Sequence, residues 1–88
     1  MAGKQHIGTI TIMVKDRQTH SQDVQMILTK NGHLILARLG VNVQPLCIEH
    51  CTGLITVAVK GTATEINKLT KELDELYGIV AKKCVVSD

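Results

Sequence analysis

Residues 7–15 read IGTITIMVK, with Ile10, Ile12 and Val14 on one side of an alternation and Thr9, Thr11 and Met13 on the other. That period of two, carried largely by β-branched residues, predicts a strand. Asp16 and Arg17 begin its exit loop, and over residues 19–31 the spacing changes. His20, Val24, Ile27, Leu28 and Asn31 recur at helical intervals, so one stripe of a helix can face a sheet. Thr19, followed three positions later by Gln22, has the form of a capping box at its start. Asn31-Gly32 supplies the stop, with Gly32 suited to the left-handed conformation that ends helices. Residues 33–41 (HLILARLGV) predict a second strand, and 53–60 (GLITVAVK) a third with Ile55, Val57 and Val59 on one face. Thr62-x-x-Glu65 opens a second helix, in which Ile66, Leu69, Leu73 and Leu76 keep the clearest helical spacing of the chain and Gly78 is the stop signal. Residues 79–86 (IVAKKCVV) predict a last strand. The stretch from Asn42 to Thr52 is irregular and holds the only proline, Pro45, which fits a strand edge or a turn but not the middle of a sheet.

The order β-α-β-β-α-β is the split βαβ of ferredoxin-like domains. It predicts an α+β fold in which a four-stranded antiparallel sheet carries both helices on one face. The first and third strands, the most apolar, take the centre. One domain over residues 1–88 is expected, with its core over residues 7–86. If Ile10, Ile12, Val14, Ile55, Val57 and Val59 face the helices, Met13, Leu54 and Ala58 face away. One of two sets in the second strand, Leu34 and Leu36 or Ile35, Ala37 and Leu39, must join them. An apolar second face marks an interface, so a homodimer or homotetramer is expected.

Composition narrows the picture. The chain has 88 residues, no Phe or Trp, and Tyr77 as its only aromatic. A domain of this size buries only ~60% of its unfolded surface, and here aliphatic side chains supply the whole core, which again favours association. Ten basic and eight acidic residues are spread along the chain for a net charge of +2. Without a clustered basic face or stacking aromatics, direct nucleic-acid binding is not expected. No apolar run approaches the ~20 residues of a membrane span, so no membrane partner is expected. The start, MAGKQH, lacks a signal peptide's apolar stretch, and three cysteines make an odd count. Together these predict a cytoplasmic setting with free thiols.

Few residues carry candidate chemistry. Cys47, His50 and Cys51 form a C-x-x-H-C cluster of thiolate and imidazole donors. On a loop all three can converge on a transition metal such as Zn, Ni, Cu or Fe, with a fourth ligand from His33, Cys84 or a symmetry mate. The plainer reading makes Cys47 a small buried hydrophobe and His50-Cys51 loop surface. Arg38-Leu39-Gly40 ends the second strand, where the glycine admits a close ligand and the arginine suits a carboxylate or phosphate. The alternative is an edge arginine facing solvent, with Gly40 marking a bulge. Asp16, Arg17 and His20 hint at acid–base work, but no nucleophile or water-excluding pocket accompanies them, so no enzyme is expected. His6 is expected in a frayed terminus, His33 at the opening of a strand, and Cys84 in the core.

Several of these residues also carry a family resemblance. The run from Ile12 to Val41, IMVKDRQTHSQDVQMILTKNGHLILARLGV, resembles the small iron-only hydrogenase system regulators. The matching elements are Asp16-Arg17, Asn31-Gly32, Arg38-Leu39-Gly40-Val41, the third strand closing on Gly61, and Tyr77-Gly78-Ile79-Val80. The resemblance spans roughly residues 7–86 and implies an ACT-like, ferredoxin-like fold. That fold is similar to the C-terminal domain of the nickel-responsive repressor, which tetramerises and binds metal through His and Cys. The chain departs from the family where Asn42 follows Val41 and in the segment NVQPLCIEHC, so no family role passes to the cysteine cluster. By resemblance, Asp16 and Arg17 join Arg38 and Gly40 as candidate ligand residues, because ACT effectors bind at inter-subunit clefts. The function expected is a non-catalytic regulatory or sensor module that binds a small effector at subunit interfaces. The alternatives are a metal-binding regulator using Cys47, His50 and Cys51, and a structural oligomeric adaptor.

Overall fold

The computed structural model describes residues 3–44 and 46–87; Pro45 lies outside the described residues. Its elements are β1 (Gln5–Val14), α1 (Arg17–Lys30), a 3-10 turn (Gly32–Leu34), β2 (Ile35–Asn42), β3 (Gly53–Thr62), α2 (Ala63–Asp74) and β4 (Ile79–Val85). The sheet order is β2-β3-β1-β4, and every neighbouring pair is antiparallel. This is the expected βαββαβ sandwich, with β1 and β3 central.

The alternation in the central strands decides the layers. Ile10, Ile12, Val14, Ile55, Val57 and Val59 are buried against Val24 and Leu28 of α1 and Ile66, Leu69 and Leu73 of α2. Residues paired across the ladder point to the same side, so the register sorts the other face too. Thr9, Thr11 and Met13 pair with Ala58, Thr56 and Leu54. On the edge strand, Ala37, Leu39 and Val41 pair with the same three residues. A bulge between Ile35 and Ala37 divides the second strand's alternating set. Ile35 pairs with Val59 and packs on the core, whereas Ala37 and Leu39 turn to the open face. The bulge adds one residue to the strand, which reverses the alternation after it.

Both helix starts involve a cap, but only one uses the predicted side chains. At α2, Glu65 N donates to Thr62 Oγ1 at 3.1 Å and Thr62 N donates to Glu65 Oε1 at 2.9 Å, a complete capping box. Replacing Thr62 with Ala is expected to cost about 1 kcal/mol of unfolding free energy, read by urea titration. The backbone N–H of Thr62, and then its hydroxyl, hold the Glu65 carboxyl below the usual carboxylate range. A lowered folded-state value means the contribution is fully present above the ordinary glutamate value and is lost as pH falls through the lowered one. Melts of the wild type and Glu65→Gln are therefore expected to converge on acidification and to separate again as pH is raised.

At α1 the Thr19–Gln22 box does not form, because the helix starts two residues earlier. Asp16 is the N-cap, in the left-handed region at φ 48°, and Arg17 N donates to the Cys51 carbonyl at 2.8 Å. Thr19 instead donates its hydroxyl to Asp16 Oδ2 at 3.1 Å. The far end is also a correction: Gly32 is not left-handed. The Asn31 amide donates to Ile27 O at 2.9 Å, and the chain tightens into the 3-10 turn, which buries Leu34. His33 lies in that turn rather than opening a strand. Gly78 does take the left-handed conformation, at φ 77°. Further corrections concern the edges. His6 is paired within β1, with Nδ1 3.2 Å from the Ser87 carbonyl oxygen, not frayed. Cys84 is exposed on the open side of edge strand β4 rather than in the core.

Candidate functional site

The cleft with the best-built chemistry lies between α1 and the β2–β3 hairpin. It encloses about 620 Å³. Arg17, Ser21 and Gln25 come from α1 at intervals of four, which places them on one stripe beside the buried Val24 and Leu28. Arg38, Gly40 and Asn42 come from β2 at intervals of two, on the side that faces the helices. Val14 and Ile55 contribute an apolar floor. α1 does not close over β2, so the edge strand's helix-facing side stays open above that floor. Gly40 keeps it open, since a Cβ there would meet only Ile55 Cγ1, at 4.0 Å.

Two guanidinium groups line this cleft and, among the described residues, no carboxylate does. Arg38 reaches across from β2, and its Nη2 donates to Gln25 Oε1 on α1. Arg17 Nε is buried with no hydrogen-bond partner among the described residues. An unpaired buried donor is costly, and a charged one more so. Arg17's stem packs flat on the chain at Gly53, where a Cβ would stand 3.5 Å from Arg17 Cδ. Of the expected ligand residues, the fold thus gathers Arg17, Arg38 and Gly40. Asp16 lies outside the cleft, with its Oδ2 3.3 Å from His50 Nδ1. Sequence reasoning missed Ser21, Gln25 and Asn42. Their signal was the polar stripe at 17, 21 and 25 beside an apolar one.

The cysteine cluster takes a different form from the free thiols expected. Cys47 and Cys51 are joined as a disulfide with Cα atoms 5.7 Å apart, and only Cys84 is free. His50, left-handed at φ 52°, turns its ring to Asp16. Among the described residues no three His, Cys, Asp or Glu side chains are grouped to hold a metal. With both sulfurs spent on each other, neither is a thiolate donor in this form. No described helix is long and apolar enough to cross a membrane.

The family model described as "TM1266-like: Iron-only hydrogenase system regulator, putative" matches residues 6–83. The chain belongs to this family. Among solved structures, the chain superposes on the uncharacterized protein TM1266 from Thermotoga maritima with a TM-score of 0.84 at 23% identity, covering 96% of this chain and 100% of that one. It also superposes on CPII, a nitrogen regulatory PII-like protein from Thiomonas intermedia K12. There the TM-score is 0.54 at 11% identity, covering 99% of this chain and 94% of CPII, which is bound to ADP, AMP and bicarbonate. A second CPII structure gives 0.51 at 13% identity, covering 96% and 99%. No curated protein matches the chain. At these identities the solved structures establish the fold of the chain, and the family model establishes its membership.

Proposed function

We propose that this chain is a non-catalytic regulatory module that binds a small anionic effector in the α1–β2–β3 cleft and works as a homo-oligomer. One observation carries the reading: a cleft of about 620 Å³ presents two guanidinium groups and, among the described residues, no carboxylate over an apolar floor. Its size falls in the range of small-ligand pockets, which combine apolar walls with few polar anchors. Guanidinium groups pair with carboxylate or phosphate through two parallel hydrogen bonds. The PII-like fold neighbour CPII is bound to ADP, AMP and bicarbonate, each of them an anion.

The test is isothermal titration with ADP, AMP, bicarbonate and inorganic phosphate as probes. At least one is expected to saturate, and Arg38→Gln to weaken it about tenfold or more, since a charged hydrogen bond contributes about 1.5–3 kcal/mol. Equal affinity in the variant contradicts the reading.

Association is expected through the open sheet face, where Leu39 is 66% exposed beside Val41, Leu54 and Met13. A charge there must be desolvated on assembly. Leu39→Glu is expected to shift the solution mass from oligomer to monomer while the far-UV spectrum stays the same. An unchanged mass places the interface elsewhere.

A further inference from the structure

We infer that the Cys47–Cys51 pair is a redox element that controls the anion cleft, an inference that rests on the effector reading above. The connection is short. Cys51 is fully buried, and its carbonyl accepts the Arg17 N–H at 2.8 Å. Its sulfur lies 3.6 Å from Gln18 Nε2. Arg17 and Gln18 both line the cleft. The first turn of α1, which sets where the Arg17 guanidinium stands, is therefore seated on Cys51.

Among the described residues the disulfide is the covalent link that the loop makes to Cys51. The neighbouring apolar residues Leu46 and Ile48 are 95% and 87% exposed, so they anchor no loop by burial. Of the other loop bonds among the described residues, Thr52 N to Gln44 Oε1 at 3.0 Å, Gln44 N to Asn42 Oδ1 at 3.3 Å, Val43 N to Thr52 O at 3.4 Å and Cys47 N to Gln44 O at 3.0 Å stay within the loop and the β2 end, and the exposed His50–Asp16 contact at 3.3 Å is the one that reaches the start of α1. The disulfide is the covalent tie between the surface part of the loop and the buried residue under α1.

Cys47 is half-buried and Cys51 is not accessible, so exchange begins at Cys47. A thiolate of a dithiol reductant attacks the Cys47 sulfur, the S–S bond breaks, and Cys51 leaves as a thiolate that takes up a proton. The reductant's second thiol then displaces Cys47, closes the reductant's own disulfide, and leaves Cys47 as a thiol. Two electrons pass to the protein, which ends with two thiols, and the reductant ends as one disulfide. The oxidised form of the same reductant reverses the step. Reduction frees the Cys51 backbone to move, loosens the Arg17 seat, and weakens anion binding. It also returns two thiols to the loop that carries His50.

Three measurements on the full chain test this. Thiol titration is expected to count one reactive cysteine, Cys84, in the oxidised protein and all three after dithiothreitol. Amide exchange at Arg17 is expected to speed up about fivefold or more on reduction, while Ile12 in the core is unchanged. AMP and bicarbonate affinities are expected to fall by a similar factor, and Cys47→Ser is expected to match the reduced wild type without any reductant. Three reactive thiols in the oxidised protein overturn the inference, as does Arg17 exchange that ignores reduction. If Arg17 responds but neither probe binds in either state, the effector reading is rejected and the redox coupling at α1 stands.

Discussion

Leu73→Ala is expected to lower the thermal unfolding midpoint by ~10 °C or more. Leu73 is fully buried on α2 and belongs to the single cluster formed with Leu69, Ile66 and the central strands. Removing a buried leucine to alanine costs about 2–5 kcal/mol, part transfer and part cavity. The chain has no Phe or Trp and its one tyrosine, Tyr77, is exposed, so the core holds no large ring that can shift into the gap. A domain of this size starts from only about 5–15 kcal/mol of stability, so the loss is a large fraction of the whole. Leu76, only half-buried at the rim of the same core, serves as the control, and Leu76→Ala is expected to move the midpoint much less. Equal midpoints for Leu73→Ala and the wild type would contradict the packing described.

Gly40→Val is expected to weaken probe binding and leave the fold intact. Gly40 pairs with Ile55 in the ladder and is not in the left-handed region. A Cβ at that position meets only Ile55 Cγ1, at 4.0 Å, so the backbone accepts a side chain without strain. Valine suits a strand, and replacing glycine stiffens the unfolded chain, which by itself adds about 0.4–1 kcal/mol of stability. The two methyl groups then project over Ile55 into the space between Arg38 and α1. Calorimetric titration with the anion that binds the wild type is expected to show an affinity loss of ~10-fold or more, with an unfolding midpoint that is unchanged or raised. Full affinity in Gly40→Val would move the binding site out of this cleft.

The layers of the fold were legible because the central strands alternate without interruption. Ile10, Ile12 and Val14, and likewise Ile55, Val57 and Val59, admit only one arrangement under two helices. The edge strand was not so legible, because Leu34, Ile35, Leu36, Ala37 and Leu39 are apolar on both parities, and a bulge cannot be read from such a run. The α1 start was misplaced for a different reason: its first N–H is taken by Cys51, a residue 34 positions away, and local pattern contains no such partner. Within the site, Gly40 and Arg38 stood out as a glycine and a cation at a strand end. The importance of Arg17 comes instead from a cleft assembled across β3, where its Nε has no acceptor among the described residues. C-x-x-H-C spacing fits three donors around a metal and also fits a short disulfide loop, so the spacing could not choose between them.

An NMR titration of the labelled wild-type chain with ADP, AMP and bicarbonate tests the central claim most directly. Binding in the cleft predicts saturable shifts at the Arg17 and Arg38 side-chain N–H groups and at the Gly40 and Asn42 amides, with Thr9, Thr56 and Lys82 on the open face unmoved. Shifts confined to the open face, or no saturable shift at either arginine, would contradict it.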